Sequence, residues 1–255
     1  GRRGMMRARL NAVVAIAVLG TLAMPRPSGA DLLVRKQSPR TLLTKVPVFL
    51  LTNDMGQPYL TSTPSGDQVG KMFVFIKDAE RSLEELQRMP GASDARMWKT
   101  DLYRAVRMAQ REQSSGLYND QGRELKMRMK FQPHSRQVSN ARMLMLGRGK
   151  LFAQAPQIPV FYSPALAARK RGQDVLPLFL AKEELDRAWA RLQLRAPHMP
   201  RKPKIEVTSL GEVMRRVEAD PDLRVDFYVS EQTQRWVKDS RRPKKARIFK
   251  PRAMR

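Results

Sequence analysis

The sequence predicts an α/β (α+β) chain built as a duplicated, pseudo-twofold unit of strands backed by helices, with an apolar N-terminal helix in front and a basic tail behind. Two stretches carry that expectation. Val46-Pro47-Val48-Phe49 opens a strand, and after a polar insert Met72-Phe73-Val74-Phe75-Ile76 leads into a helix-forming run at Lys77-Asp78-Ala79-Glu80-Arg81-Ser82-Leu83. Roughly 110 residues later Ile158-Pro159-Val160-Phe161 repeats the opening, and Leu178-Phe179-Leu180 leads into Ala181-Lys182-Glu183-Glu184-Leu185-Asp186-Arg187-Ala188-Trp189. A chain of 255 residues can bury one good core or two smaller ones sharing a sheet. The expected division is a leader over 1–40, a first repeat over 41–150, a second over 151–232 and a basic tail over 233–255.

Arg2, Arg3, Arg7 and Arg9 precede an uncharged run from Leu10 to Met24, and small residues follow at Ser28 and Ala30. A basic start, an apolar stretch and small residues form a secretory-type signal with a peptidase site. The run falls short of the about 20 residues that a spanning helix wants. If kept, it forms a membrane anchor through Leu10, Val13, Val14, Ile16, Val18, Leu19 and Leu22, with arginines snorkelling at one end. A retained anchor is preferred here over a cleaved signal.

In the first repeat, Thr52–Pro58 supplies a turn, so Val46–Leu51 and Tyr59–Ser62 read as a hairpin. Ala79, Leu83 and Leu86 fall at i, i+4 and i+7 and make one buried helical stripe, stopped by Pro90-Gly91. A second helix covers Asp101–Gln110, with Leu102, Ala105, Val106 and Ala109 inward. Leu125-Lys126-Met127-Arg128-Met129-Lys130-Phe131 alternates strictly, which places four apolar residues on one face of a strand and three cations on the other. Ser135–Leu146 reads as helix up to a stop at Gly147.

The second repeat offers strands at Ile158–Tyr162 and Val175–Leu180, then a helix buried through Leu185, Ala188, Trp189 and Leu192. Lys204–Thr208 is a short strand. Ser209 and Glu212 have capping-box spacing at the start of a helix that ends before Asp220-Pro221. Leu223–Ser230 alternates as the last strand. Beyond Trp236 the composition cannot bury enough apolar surface to order itself without an acidic partner.

The net charge of +25 suggests nucleic acid, but its distribution argues otherwise. Residues 1–40 carry +7 and residues 235–255 carry +9, which leaves +9 on the 194 residues between them. The charge is terminal, not that of a basic domain. With no cysteine, disulfides, zinc–thiolate sites and cysteine nucleophiles are excluded.

His134 and His198 lack a neighbouring ligand or nucleophile and read as surface histidines. Gly147-Arg148-Gly149-Lys150 lacks the spacing of a phosphate loop and reads as a helix stop. Glu84-Glu85 and Glu183-Glu184 are adjacent on helices, so their side chains diverge as solvated charge. No catalytic constellation follows, and the expectation is a non-enzymatic chain with no cofactor, metal or small-molecule substrate. Met127, Met129, Phe131, Met143 and Met145 form the candidate hydrophobic groove, with a plain core as the stronger reading of these methionines. Arg241, Arg242, Lys244, Lys245, Arg247, Lys250 and Arg252 are the candidate partner-binding residues for an acidic neighbour.

In its motifs the chain resembles the Tic twenty-two family. The resemblance rests on Val46-Pro47-Val48-Phe49 with Thr52-Asn53 and Gly56-Gln57-Pro58, then Phe75-Ile76 with Asp78-Ala79. It continues through Lys130-Phe131-Gln132-Pro133, Gln137-Val138 and Ala141 to Ile158-Pro159-Val160-Phe161, spanning about residues 41–230. It implies a pseudo-twofold α/β layer with hydrophobic grooves, chaperone-like holding of clients, and a role in plastid protein import in the envelope intermembrane space. The anchor and basic tail depart from the family pattern. They favour a membrane-anchored accessory subunit of a thylakoid photosystem with its antenna, on the lumen side. The alternatives are an import-associated chaperone or translocon component of the envelope, and an organellar ribosome- or RNA-associated protein. Expected partners are protein subunits of a plastid membrane complex, with the membrane engaged through the leader.

Overall fold

Alternating burial along the strands builds two sheets around one shared interior. The computed structural model describes residues 38–149, 154–170, 172–220 and 222–240, together with the pair Ile16–Ala17. That pair is a short strand, β1 (Ile16–Ala17). Helix α1 (Pro39–Leu43) starts where the Ser38 hydroxyl accepts from the Thr41 amide and Pro39 presets the first turn. The first sheet is built from β2 (Pro47–Thr52), β3 (Leu60–Ser62), β4 (Gln68–Phe73), β5 (Arg96–Asp101), β6 (Glu112–Tyr118) and β7 (Glu124–Phe131). Helices α2 (Ile76–Gln87), α3 (Leu102–Ala109) and α4 (Ser135–Leu146) belong to the same stretch of chain. The second sheet takes β1, β8 (Pro159–Tyr162), β9 (Ala167–Lys170), β10 (Gln173–Phe179), β11 (Glu206–Ser209) and β12 (Val225–Tyr228). Its stretch adds α5 (Lys182–Gln193), α6 (Leu210–Ala219) and α7 (Glu231–Ser240).

The order β5-β2-β4-β7 in the first sheet has the same strand directions as β11-β8-β10-β12 in the second. In each, the third strand is antiparallel to the second and parallel to the fourth. The helices keep step, with α2 and α5 after the third strand, α3 and α6 after the first, and α4 and α7 after the fourth.

Period-two alternation sends each strand's apolar residues to two different places. Val48, Leu50, Met72 and Val74 of the first sheet meet Val160, Leu178, Leu180, Val225 and Phe227 of the second in one interior, closed by residues of α1, α3 and α6. Phe49, Leu51 and Phe73 point the other way, under α2. Phe161 and Phe179 do the same in the second sheet, under α5 through Leu185, Ala188, Trp189 and Leu192.

The last helix of each half crosses to the other half. Ala141 and Leu144 of α4 pack on the second sheet's outer face, whereas Trp236 of α7 packs on the first sheet. The Trp236 ring stands edge-on to Phe49 at 5.0 Å. Residues from 233 onward were expected to be tail, but α7 is helical as far as Ser240. Ser230 accepts from the Thr233 amide at 3.3 Å, and Glu231 in the first turn with Lys238 in the last suits the helix dipole.

The expected Val46–Leu51/Tyr59–Ser62 hairpin is corrected. The turn forms, with the Asn53 amide on the Gln57 carbonyl, a bridge at Thr52–Pro58 and the Tyr59 amide donating to the Leu51 carbonyl at 2.9 Å, but the ladder goes no further and β3 pairs with β4 instead. A second tight turn at Thr63–Asp67 joins β3 to β4, where Gly66 takes the left-handed φ of +84° that the reversal needs.

The anchor helix is also corrected at Ile16. Ile16 and Ala17 are extended and pair antiparallel with Ala168 and Ala167 of β9, a conformation to which β-branched residues are suited. Leu10, Val13, Val14, Val18, Leu19 and Leu22 lie outside the described residues. Among the described residues no helix is long and apolar enough to cross a membrane.

Candidate functional site

Where the outer face of β9, β10 and β12 runs out beyond the cover of α5, it faces a corner of the first sheet across an open cleft of about 860 Å³. Ala168, Val175, Pro177 and Tyr228 supply the apolar part of its floor, since residues on one face of paired strands share a side. Lys45 and Pro47 bring in the start of β2, Lys99–Asp101 and Arg104 the junction of β5 with α3, and Gln234, Val237 and Lys238 the exposed side of α7. Both halves of the chain therefore contribute walls.

Two carboxylates organise the cations. Asp226 accepts from Lys45 at 2.7 Å and also pairs with Lys170, so one carboxylate on β12 ties the segment before β2 to β9. Asp101 caps α3 by accepting from the Arg104 amide at 2.9 Å, with the Arg104 guanidinium at 3.5 Å. Lys99, Arg169 and Lys238 line the same cleft and form no ion pair among the described residues. Thr100, 5 % exposed, also borders the cleft, and its hydroxyl has no hydrogen-bond partner.

A second polar cluster fixes the crossing of α4. Gln137, 2 % exposed, donates to Glu183 at 2.7 Å and accepts from the Lys182 amide at 2.9 Å, so one side chain serves the start of α5 twice. Asn140 and Arg136 also reach the Glu183 carboxylate. Burial alone would push Glu183 up, but the bonds from Gln137, its own amide and Asn140, with the Arg136 charge, together hold it below the usual carboxylate range. Past the end of α4, Arg148 pairs with Glu206 and donates to the Ile205 carbonyl at 2.6 Å, latching the helix to β11.

The model of the Tic22-like family matches residues 28–224. The chain belongs to the Tic22-like family. Its fold is similar to that of Anabaena Tic22, described as protein transport, with a TM-score of 0.59 and 17% identity over 80% of this chain and 96% of that one. It is also similar to that of Tic22 from Plasmodium falciparum, with a TM-score of 0.62 and 23% identity over 80% of this chain and 98% of that one. At these identities the likeness is one of fold. No curated protein matches the chain.

In this Tic22-like protein the expected hydrophobic groove is not assembled as one surface. Met129 is buried in the interior between the sheets, and Phe131 packs against that interior from the same strand face, which Met127 shares. Met143 and Met145 ride instead on α4, over the second sheet, where Met143 is 67 % exposed. The helix that follows β7 in sequence does not lie beside it. The basic-tail candidates Arg241, Arg242, Lys244, Lys245, Arg247, Lys250 and Arg252 fall outside the described residues.

Three side chains read as solvent-facing have partners. His134 bonds Asp78 through Nδ1 at 2.9 Å and lies against the Phe75 ring, with centroids 4.5 Å apart. Glu183 accepts the bonds given above, and Glu184 pairs with Arg187 at 2.9 Å. Gly147 does end α4. The cleft residues carried no signal in the sequence, because Lys45, Lys99, Arg169 and Lys238 converge only through the tertiary fold.

Proposed function

We propose that this Tic22-like chain is a non-enzymatic, client-holding component of plastid protein import, working in the envelope intermembrane space, with the inter-sheet cleft as its client-binding face. The observation that carries the reading is that cleft, an open trough with apolar floor residues and walls from both halves of the chain. Such a trough suits an extended polypeptide, because side chains alternate between floor and rim. The likeness to Anabaena Tic22, described as protein transport, supports a role of that kind over the photosystem-subunit reading. The matching strand orders support two copies of one unit, over 41–150 and 151–232, as the origin of the architecture. The basic tail from Arg241 to Arg252 is proposed to hold an acidic face of a neighbouring protein, mainly by charge and hence more weakly at high salt.

A photo-crosslinker placed at Val237 tests this in isolated plastids during import of an arrested preprotein. The expected result is an adduct between the chain and the preprotein in transit. Adducts confined to pigment-bearing photosystem subunits or to ribosomal RNA, with none to the preprotein, overturn it.

A further inference from the structure

We propose that the cleft selects its polypeptide by charge sign: it takes a segment in which Asp or Glu alternate with apolar residues and rejects a basic one. The inference rests on the client-binding reading and adds the chemistry of the client.

Lys45, Lys99, Arg104, Arg169, Lys170 and Lys238 line the cleft against two carboxylates, Asp101 and Asp226. Both carboxylates are committed. Asp226 is shared between Lys45 and Lys170, and Asp101 caps α3 beside Arg104. The surplus therefore sits on Lys99, Arg169 and Lys238, from β5, β9 and α7. Lys99 and Lys238 stand on separate walls, and Arg169, whose strand pairing with Asp174 sets it on the face opposite to Ala168, borders the cleft along β9.

This separation favours a peptide over a single-headed anion. A phosphate or a lipid headgroup concentrates its charge at one point and meets one wall. Carboxylates spaced along an extended segment reach several, while the alternate side chains face Val175 and Pro177. A basic segment would set like charges side by side in a cleft that offers no free carboxylate among its described lining, which is how interfaces reject wrong partners. The chain's own tail has the wrong sign for this site. Residues 241–255 hold eight Lys and Arg and no Asp or Glu.

The test is a fluorescence-anisotropy titration of the full chain with short labelled peptides in which Glu, Lys or Gln alternates with Leu. At low salt the Glu peptide should bind at least about tenfold tighter than the Lys peptide, with the Gln peptide between them. The combined Lys99→Gln, Arg169→Gln, Lys238→Gln variant, checked for an unchanged melting temperature, should lose that preference. Wild type and variant carry the same tail, so the difference between them reports the cleft. A preference that survives in the variant, or one that is absent in the wild type, overturns the inference. So does displacement of the Glu peptide by phosphatidylglycerol vesicles that bind more tightly through the same three residues. Equal binding of all three peptides removes charge selection and leaves client holding intact, whereas no binding by any of them removes both.

Discussion

Gln137 shows how much one side chain can decide. It is buried on α4, yet both ends of its amide are spent on the first residues of α5, and it therefore fixes where a helix from one half rests on the other. Gln137→Leu keeps the bulk but leaves the Lys182 amide and part of the Glu183 carboxylate unpaired. The expected loss is about 1–3 kcal/mol, read as a lower urea midpoint at unchanged slope. Glu183 gives this cluster a pH dependence of defined sign. Its folded value lies below its unfolded one, so its stabilisation is present above the unfolded pKa, about 4.3, and is lost as pH falls through the folded value. The melting-temperature gap between wild type and Glu183→Gln should accordingly be widest near neutral pH and close in acid. A gap that stays constant across that range would mean that the charge of Glu183 contributes nothing.

Among the elements, the ones visible in the sequence are those with one clean buried face. Leu125 to Phe131 alternated and became β7, and the Leu185–Leu192 stripe became the buried side of α5. Ser209 caps α6 by accepting from the Glu212 amide at 3.0 Å, although the Glu212 carboxylate turns to Arg215 and Arg216 instead of reaching back. Elements without such a face were illegible. β5 is an edge strand reading Arg-Met-Trp-Lys-Thr-Asp, with Arg96 and Trp98 exposed, and its charged positions hide the period. α7 carries its contact on Thr233 and Trp236 within a polar, charged stretch that resembles the basic residues after it. The crossing of α4 had no signal either, because Ala141 and Leu144 announce a buried face without saying which sheet buries it. Trp236→Ala tests the α7 contact. Losing the ring from Phe49 should cost about 2 kcal/mol, and hydrogen exchange over 231–240 should rise well before exchange in α2.

For the molecule as a whole, the exchanged helices make the two halves of the sequence poor candidates for independent folding. Val48 and Val160 are both fully buried in the same interior, so each sheet supplies half of that core. Residues 38–149 alone would expose the inner faces of β2 and β4 and leave α4 without the β8–β11 surface under it. They would also lose the cover that Trp236 gives Phe49. A compact piece of this size stripped of a shared interior falls below the margin by which domains are stable. The full chain should therefore melt in one calorimetric transition whose measured and van't Hoff enthalpies agree, and Val48→Ala and Val160→Ala should each lower it without splitting it. The separate fragments 38–149 and 154–240 should each lack a cooperative transition, and mixing them should restore one as α4 and α7 find their sheets. A sharp melt from either fragment alone would place the stabilising contacts within the halves and make the crossed helices secondary to them.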